Sequence, residues 1–331
     1  MITRREMVIA VAAGALVSPL ASFSQQQSTQ SLHRIGLLSG GSNPRKNSRW
    51  AAFFAAMVGL GYEEGRNVAY DIRFADGEPD HLPQLAHDLV QTTPKLIVVT
   101  GSSEAVSARR ATTAIPIVTI QAGDLVALQL ATSLSRPGGH VTGLTSNVPG
   151  IYEKRLQLLV EAYASVKRIG VLANPSAASY MDFRRESEHA AASVGVDLLP
   201  TAAATRPNEL AAAFANIIQH RAQAMLVLND VLFFVHRQRV IEFAAKARLP
   251  VMYCFTEDVE AGGLMAYAVN YRDLYIRVPI FVDKILKGAR PGDIAIEQPT
   301  RYELQLNLKT AKALGIKFAQ SILLQATKMM E

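Results

Sequence analysis

Residues 96–120 read LIVVTGSSEAVSARRATTAIPIVTI, and this stretch decides the fold. Residues 96–100 and 117–120 are apolar and rich in β-branched side chains, which predicts two buried strands. Residues 104–112 between them are predicted to form a helix, and the loop Gly101-Ser102-Ser103 precedes it. A strand, a helix and a second strand at this spacing indicate a βαβ unit with parallel strands.

The same alternation continues in both directions along the chain. Upstream lie predicted strands at 33–39 and 68–74 and predicted helices at 49–60 and 82–90. The Pro-Gly-Gly sequence at 137–139 and a short strand at 141–144 then precede a second series. Its predicted elements are a helix from 152, strands at 168–172, 196–199, 224–228 and 251–253, and helices at 181–192, 208–219 and 236–247. Two such series predict an α/β fold of two lobes, each with a parallel sheet covered on both faces.

The C-terminal region differs from both series. It contains a strand, a long helix at 274–286, an extended segment, an alternating strand at 302–307 and a last helix reaching residue 330. We expect this region to cross back to the first lobe and return, which would create a hinge of several strands. The predicted division assigns residues 32–146 and 257–297 to the first lobe and residues 147–256 and 298–331 to the second.

The N-terminus has the pattern of an export signal. Arg4 and Arg5 precede an apolar run at 7–20, which small residues and then a Gln/Ser/Thr tract follow. We predict a signal peptide at 1–24 and a disordered leader at 25–31, hence a periplasmic protein exported by the Sec or the twin-arginine route. The alternative, a buried N-terminal helix, is disfavoured by the polar tract. No cysteine lies near the predicted cut, so no lipid anchor is expected.

Composition favours a protein with a large core and no nucleic-acid partner. The chain has 331 residues, of which 49% are hydrophobic and 19% charged, and its net charge is +6. Because Lys and Arg are scattered singly or in pairs, they predict solvated faces rather than a nucleic-acid surface. The lone cysteine, Cys254, cannot form an internal disulfide and lies in an apolar run, which predicts a buried, unreactive thiol.

Motifs for catalysis, nucleotides and metals do not occur in the sequence. There is no G-x-S-x-G, no P-loop and no G-x-G-x-x-G following a strand. The seven histidines form neither H-E-x-x-H nor an i,i+4 pair. The sequence therefore predicts no catalytic residue, no metal site and no cofactor.

Small polar residues instead follow the predicted strands, at the sheet edge where ligands bind in doubly wound folds. The predicted ligand-binding residues there are Ser39, Gly41, Ser42, Gly101, Ser102, Ser103, Gln121, Gly123, Asp124, Asn174, Asn229 and Asp230, with the aromatic Tyr253 and Phe255. A helix N-terminus at Ser102 and Ser103 suits a carboxylate or another anion, and Asp230 or Asp124 suits an ammonium group. For any single loop, helix capping is an equally good explanation. Trp50 is predicted to lie in the core beside two phenylalanines.

Several stretches resemble the ABC-transporter substrate-binding family that includes tryptophan- and tyrosine-binding members. Residues 135–143, SRPGGHVTG, resemble the family's ARPGGNVTG segment, with His140 in place of the usual Asn. The other similar stretches are LGYEEGRNV at 60–68, KRLQLL at 154–159, VDKILKGA at 282–289, EQPT at 297–300 and NLKTAKALG at 307–315. The resemblance extends over nearly all of the chain that follows the predicted signal peptide.

The resemblance implies a type I periplasmic binding protein, which is α/β with two Rossmann-like lobes joined by three hinge strands. Ligand would lie between the lobes, with Ser102 and Ser103 at a carboxylate and Asp230 at an amine. This chain departs from the family at residues 123–126, where it has Gly-Asp-Leu-Val and the family often has Gly-Asp-Pro-Val. The absent proline bears on the shape of this loop and therefore on which ligand the loop accepts.

The implied function is capture of a small solute for an ABC importer by hinge closure. The expected solute is an amino acid or an aromatic carboxylate, and the expected partner is a permease in the inner membrane, with the protein itself a monomer. One alternative is a ligand-sensing domain that feeds a receptor. Another is a periplasmic hydrolase using Ser102 or Ser103, although no histidine lies in the strand-end loops. A repressor of this fold is excluded by the export signal and by the absence of an N-terminal helix-turn-helix.

Overall fold

Residues 32–331 are the part of the chain that the computed structural model describes. The predicted signal peptide and the predicted leader lie outside the described residues. Among residues 32–331, no helix has both the length and the apolar character needed to cross a membrane.

Five parallel strands form the sheet of the first lobe, in the order β2-β1-β3-β4-β5. These strands are β1 (His33–Ser39), β2 (Val68–Phe74), β3 (Leu96–Val99), β4 (Ile117–Ala122) and β5 (Val141–Thr145). The helices between them are α1 (Ser48–Gly59), α2 (Leu82–Gln91) and α3 (Ser102–Ala111). Because the strand order reverses between β1 and β3, the ends of these two strands leave a crevice at which doubly wound folds bind ligands.

The second lobe has seven strands in the order β12-β11-β10-β9-β8-β6-β7. Its first part contains α4 (Ile151–Ala162), β6 (Arg168–Ala173), α5 (Tyr180–Val194), β7 (Asp197–Ala203), α6 (Leu210–Gln219), β8 (Ala224–Val227), α7 (Val231–Val235), α8 (Arg237–Lys246), β9 (Val251–Tyr253), α9 (Thr256–Glu260) and β10 (Met265–Val269). After α10 (Tyr271–Arg277) and α11 (Pro279–Leu286) come β11 (Tyr302–Asn307), α12 (Leu308–Leu314), α13 (Gln320–Gln325) and β12 (Lys328–Met330). Among the strand pairs that residues 32–331 form in this sheet, only β10 and β11 are antiparallel.

Three segments join the lobes: one between β5 and α4, one between β10 and α10, and one before β11. The segments are tied to one another, since Gln298 Nε2 donates to Asn147 O at 3.0 Å and Asn270 N donates to Arg301 O at 3.2 Å. Helix α10 packs on α1, so the chain returns to the first lobe between the second and third crossings. The predicted fold class, two Rossmann-like lobes joined by three connections, is confirmed.

The C-terminal region departs from the sequence prediction in its strand pairing and in its last segment. Strand β10 pairs with β9 and β11 in the second sheet, so residues 265–269 do not belong with the first lobe, to which the predicted segment 257–297 was assigned. The chain crosses only after Val269. The last segment is not one helix, because α12 ends at Gly315 with a left-handed φ of +73° and β12 pairs in parallel with β11. The remaining lobe boundaries stay a prediction.

Apolar strands place the polar loops at a fixed edge of each sheet. All four residues of β3 are fully buried, as the continuous apolar run predicts. At the opposite side of the same crevice, the Asn47 side chain caps α1 by accepting from Arg49 N at 2.9 Å. This cap starts α1 at the edge of the crevice and places Arg49 and Trp50 in its first turn.

Candidate functional site in the interlobe cleft

The carboxyl ends of the central strands of both lobes face one cavity of about 750 Å³, a volume that includes its part open to solvent. Most of the residues predicted to bind ligand line this cavity. They are Ser39, Gly41, Ser42, Gly101, Ser102, Ser103, Gln121, Gly123, Asn229, Asp230 and Phe255. The structure therefore brings together, from two lobes, loops that lie far apart in the sequence.

Three of the predicted residues do not line the cavity. Asp124 instead caps the turn after β4, where its Oδ1 accepts from Val126 N at 2.9 Å and from Ala127 N. Asn174 lies behind Asp230, and its Nδ2 is 3.3 Å from both carboxylate oxygens. Tyr253 belongs to the buried core of the second lobe.

Direct contacts across the cleft show that the two lobes are closed on each other. Ser102 Oγ, from the first lobe, accepts a hydrogen bond from Ser179 Oγ of the second lobe at 2.6 Å. The same oxygen accepts from Gly123 N at 2.8 Å. A Cβ on Gly123 would lie only 2.9 Å from Ser179 Oγ, so glycine allows the close approach at this point.

Arg49 extends from α1 of the first lobe into the second lobe. Its guanidinium carbon lies 4.5 Å from the ring centre of Phe234 and 5.3 Å from that of Phe255, and Tyr271 of α10 lies 4.6 Å away. Its Nε donates to Glu257 Oε1 at 2.6 Å. Burial opposes both charges, but the ion pair still raises the pKa of Arg49 and lowers that of Glu257. We call this arrangement the Arg49 cage.

Two carboxylates face the cavity from opposite lobes. Glu104, on α3, is 3% exposed, and its Oε1 accepts from Gly40 N at 2.7 Å and from the Thr100 hydroxyl. Among the described residues, its Oε2 receives no hydrogen bond. Asp230 is the N-cap of α7, where its Oδ1 accepts from Leu232 N at 2.8 Å.

The pKa of Asp230 is raised to about 6, chiefly because the carboxyl group is buried. The negative charge of Glu104 adds to this rise, whereas the hydrogen bonds from Leu232 N and the Asn174 side chain work in the opposite direction. Asp230 is thus an acid in a cavity that already holds another carboxylate.

Aromatic rings form much of the remaining wall. They are Trp50, Phe183, Phe234, Phe255 and Tyr275. Trp50 is 1% exposed and packs edge-on against Phe53, as the prediction of a core position requires, and it also lines the cavity.

Sequence reasoning missed several of the cavity residues. Those that it did not single out are Asn47, Arg49, Thr100, Glu104, Ala177, Ser179, Phe183, Val231, Phe234 and Tyr275. The sequence does indicate a place in the cavity wall for Glu104, because this residue lies in the first turn of the helix that follows the serine loop. It gives no such indication for Tyr275, which reaches the cleft only because the chain returns to the first lobe.

No group of three or more His, Cys, Asp or Glu side chains in residues 32–331 is arranged to hold a metal ion. The charged side chains that the described residues place in the cavity wall are Arg49, Glu104 and Asp230. The cavity is thus suited to recognising a small organic molecule by charge, hydrogen bonds and ring contacts.

Comparison with known proteins gives relatives of similar length. The chain is 24% identical over 336 residues to a tyrosine-binding protein of Clostridioides difficile strain R20291, a match that covers 96% of this chain and 94% of that protein. A solved structure of a conserved domain protein from Vibrio cholerae is 27% identical, with a TM-score of 0.84, and covers 90% of this chain and 99% of that one.

A second solved structure is an ABC domain from Streptococcus pneumoniae in complex with L-Trp. It is 24% identical, has a TM-score of 0.84, and covers 91% of this chain and 100% of that one. The model of the ABC transporter substrate-binding protein family matches residues 42–330. Because this match extends over most of the chain, the protein belongs to the ABC transporter substrate-binding protein family, whose members bind small solutes for ABC permeases.

Proposed function

We propose that this protein captures an amino acid, with an aromatic amino acid as the leading candidate, and delivers it to an ABC permease. The observation that carries the proposal is the cavity itself, in which Glu104 and Asp230 from opposite lobes share one space with five aromatic rings. The tyrosine-binding relative and the L-Trp complex support the choice of solute.

Each part of an amino acid has a candidate partner in the cleft. The ammonium group would lie between Glu104 and Asp230, as charge-assisted hydrogen bonds to carboxylates require. The carboxylate would face the first turn of α3, whose N-cap, Gly101, supplies no side-chain hydrogen bond to the helix. The side-chain ring would lie against Trp50 and Phe255.

Closure of the lobes would complete the binding site. Ser102 and Ser179 meet only when the lobes approach, and the same movement excludes water from the carboxylates and the rings. Solute can favour this closed form only by binding it more tightly than it binds the open form.

The test is thermal stability in the presence of candidate solutes. A ligand that binds only the folded protein stabilises it. L-tyrosine, L-tryptophan or L-phenylalanine at about a hundredfold excess over Kd should therefore add about 2.7 kcal/mol to the free energy of unfolding. Protein that has been unfolded, dialysed and refolded should therefore melt several degrees higher with its solute. Absence of a shift with every amino acid would refute the proposal.

We propose that Ser102 and Ser103 bind rather than catalyse. Ser102 Oγ accepts its hydrogen bonds from Gly123 N and Ser179 Oγ. A nucleophilic serine needs a base within hydrogen-bond reach, and no histidine is among the described residues that line the cavity. Ser102→Ala should change the affinity for solute. It should not change the rate at which the protein hydrolyses ester or amide substrates, compared with the wild type.

We further propose export to the periplasm and a monomer that binds no nucleic acid. The proposal rests on the N-terminal pattern of residues 1–24 and on the scattered placement of basic residues. Fractionation of cells tests export, and N-terminal sequencing of the mature protein tests the predicted cleavage site of the signal peptide. Retention of the full chain in the cytoplasm would contradict it.

A further inference from the structure

We infer that the cleft selects its solute by a positively charged ammonium group and does not require a carboxylate on that solute. The inference rests on the proposed function and narrows its substrate class. It follows from the charges of the cavity wall and from the partners that those charges already have.

Arg49 already has a carboxylate partner inside the protein. It is the cation among the described residues that line the cavity, and its Nε donates to Glu257 Oε1 at 2.6 Å. Its Nη2 lies 2.6 Å from the same oxygen but forms no hydrogen bond with a described residue, so the ion pair balances the charge of Arg49 without using all of its donors. Aromatic rings on several sides fix the guanidinium in this pairing. The charges of Arg49 and Glu257 therefore cancel locally.

The carboxylates of Glu104 and Asp230 remain without a cation. Neither forms an ion pair with a Lys, Arg or His within residues 32–331. Glu104 Oε2 receives no hydrogen bond from the described residues, and Asp230 Oδ2 receives only the long contact of 3.3 Å from Asn174. Each carboxylate therefore has one oxygen that can accept from an ammonium group.

Electrostatics then separates solutes by charge. A solute that carries only a carboxylate would bury a third negative charge beside two unpaired ones, which is unfavourable at low dielectric. A solute ammonium would supply the missing positive charge, and the surrounding aromatic faces would also attract it. The first turn of α3 can favour a carboxylate only through partial charges, which are weaker than a full ionic partner.

The experiment uses three matched solutes that share one ring. L-tyrosine carries both groups, tyramine carries only the ammonium group, and 3-(4-hydroxyphenyl)propionate carries only the carboxylate. Titration calorimetry of the refolded, solute-free protein at pH 7.5 should show tyramine binding within about tenfold of L-tyrosine. The propionate should bind at least about a hundredfold more weakly than tyramine, because it loses charge-assisted hydrogen bonds and adds a repulsion. The tryptophan, tryptamine and indole-3-propionate series repeats the test on a second ring.

Two substitutions test the residues themselves. Glu104→Gln and Asp230→Asn keep the size of each side chain and remove its charge. Each should weaken tyramine binding by about tenfold to a hundredfold and should weaken propionate binding little or not at all. Glu64→Gln is the matched control, because Glu64 lies outside the cavity in an exposed ion pair with Arg45. The ratio of amine to acid affinity is the readout, since a general loss of folding would weaken both ligands together.

The outcomes separate this inference from the function on which it rests. If the propionate binds as well as L-tyrosine while tyramine does not bind, the inference is overturned and solute capture stands. If both ring series fail to bind to folded protein, the inference and the proposed aromatic solute both fall. An unchanged amine-to-acid ratio in Glu104→Gln and Asp230→Asn would overturn the assignment of the two carboxylates.

Discussion

Asp230 combines a structural role with a position in the cleft. Its carboxylate caps α7 through Leu232 N, and the same group lines the cavity opposite Glu104. Capping alone would lower the pKa of an Asp, because the hydrogen bond from Leu232 N favours the charged form, but burial raises the pKa of Asp230 to about 6. Single residues of this kind make the affinity of the cleft depend on pH.

Affinity for an ammonium solute should fall as the pH drops below about 6. Above that pH Asp230 is ionised in the free protein and can pair with the ammonium group directly. Below that pH the Asp230 carboxyl is protonated and must lose its proton before the pair forms. The expected loss is up to about tenfold per pH unit. Calorimetry with tyramine between pH 7.5 and 4.5 measures it, and Asp230→Asn should flatten this part of the curve.

Asp258, near the Arg49 cage, should affect stability rather than affinity. Burial and then the charge of Glu257 raise the pKa of this carboxyl to about 8, with Arg237 and Arg49 opposing the rise. The folded state thus favours the protonated form, so this contribution to stability is fully present below the ordinary value of 3.8 and is lost as the pH rises through about 8.

Asp258→Asn should therefore make the protein more stable than the wild type at pH 9, with a difference that shrinks at pH 5. Urea unfolding of both proteins at the two pH values measures this change. An equal difference in stability at both pH values would show that ionisation of Asp258 does not destabilise the folded protein.

At the scale of elements, α1 is linked to α7 and α9 through the Arg49 cage. Arg49→Met keeps much of the aliphatic length but removes the charge and leaves Glu257 without its partner. We expect the closed form to become less populated and solute affinity to fall by about tenfold or more, since breaking a buried pair is costly. X-ray scattering with saturating L-tyrosine should give a larger radius of gyration than the wild type. An equal radius would show that closure does not need this contact.

Gly123, at the end of β4, limits how closely the lobes approach. In Gly123→Ala the new Cβ would lie 2.9 Å from Ser179 Oγ of the second lobe, so the closed form is strained more than the open form, in which only the contact at 3.2 Å with Ser102 Oγ of the same lobe remains. Solute affinity should fall by about tenfold, with little change in the melting temperature of the solute-free protein. Gly59→Ala on α1 is the control, since a Cβ there meets nothing within 4 Å. Equal affinities for the two variants would contradict this account.

The sequence predicts strands and strand-end loops better than the short helices and the tail. Continuous apolar runs such as residues 96–99 can only be buried, so β3 and the serine loop after it follow directly. Helix α7 is five residues long and has no period to detect, and for that reason Phe234 was missed. The helix predicted at 274–286 is two helices, because Pro279 has no N–H with which to continue α10.

The whole molecule explains which site residues no local pattern could reveal. Arg49 and Glu257 are 208 positions apart and meet only because the lobes close. The polar loops at the ends of parallel strands were predictable, since topology alone places them at one edge. The pairing of charges across the cleft depends on how the lobes are oriented, which sequence spacing does not specify.

The central claim is that solute closes the two lobes over the cleft. Asp80 and Arg206 form an exposed ion pair across the cleft mouth, 2.9 Å apart, so the pair Asp80→Cys and Arg206→Cys can carry two spin labels while Cys254 stays buried. Pulsed dipolar spectroscopy then measures the distance between the lobes. The account predicts a longer or broader distance distribution in solute-free protein that becomes one short distance with saturating L-tyrosine or tyramine. A distribution that neither compound changes, although calorimetry shows that it binds, would contradict it.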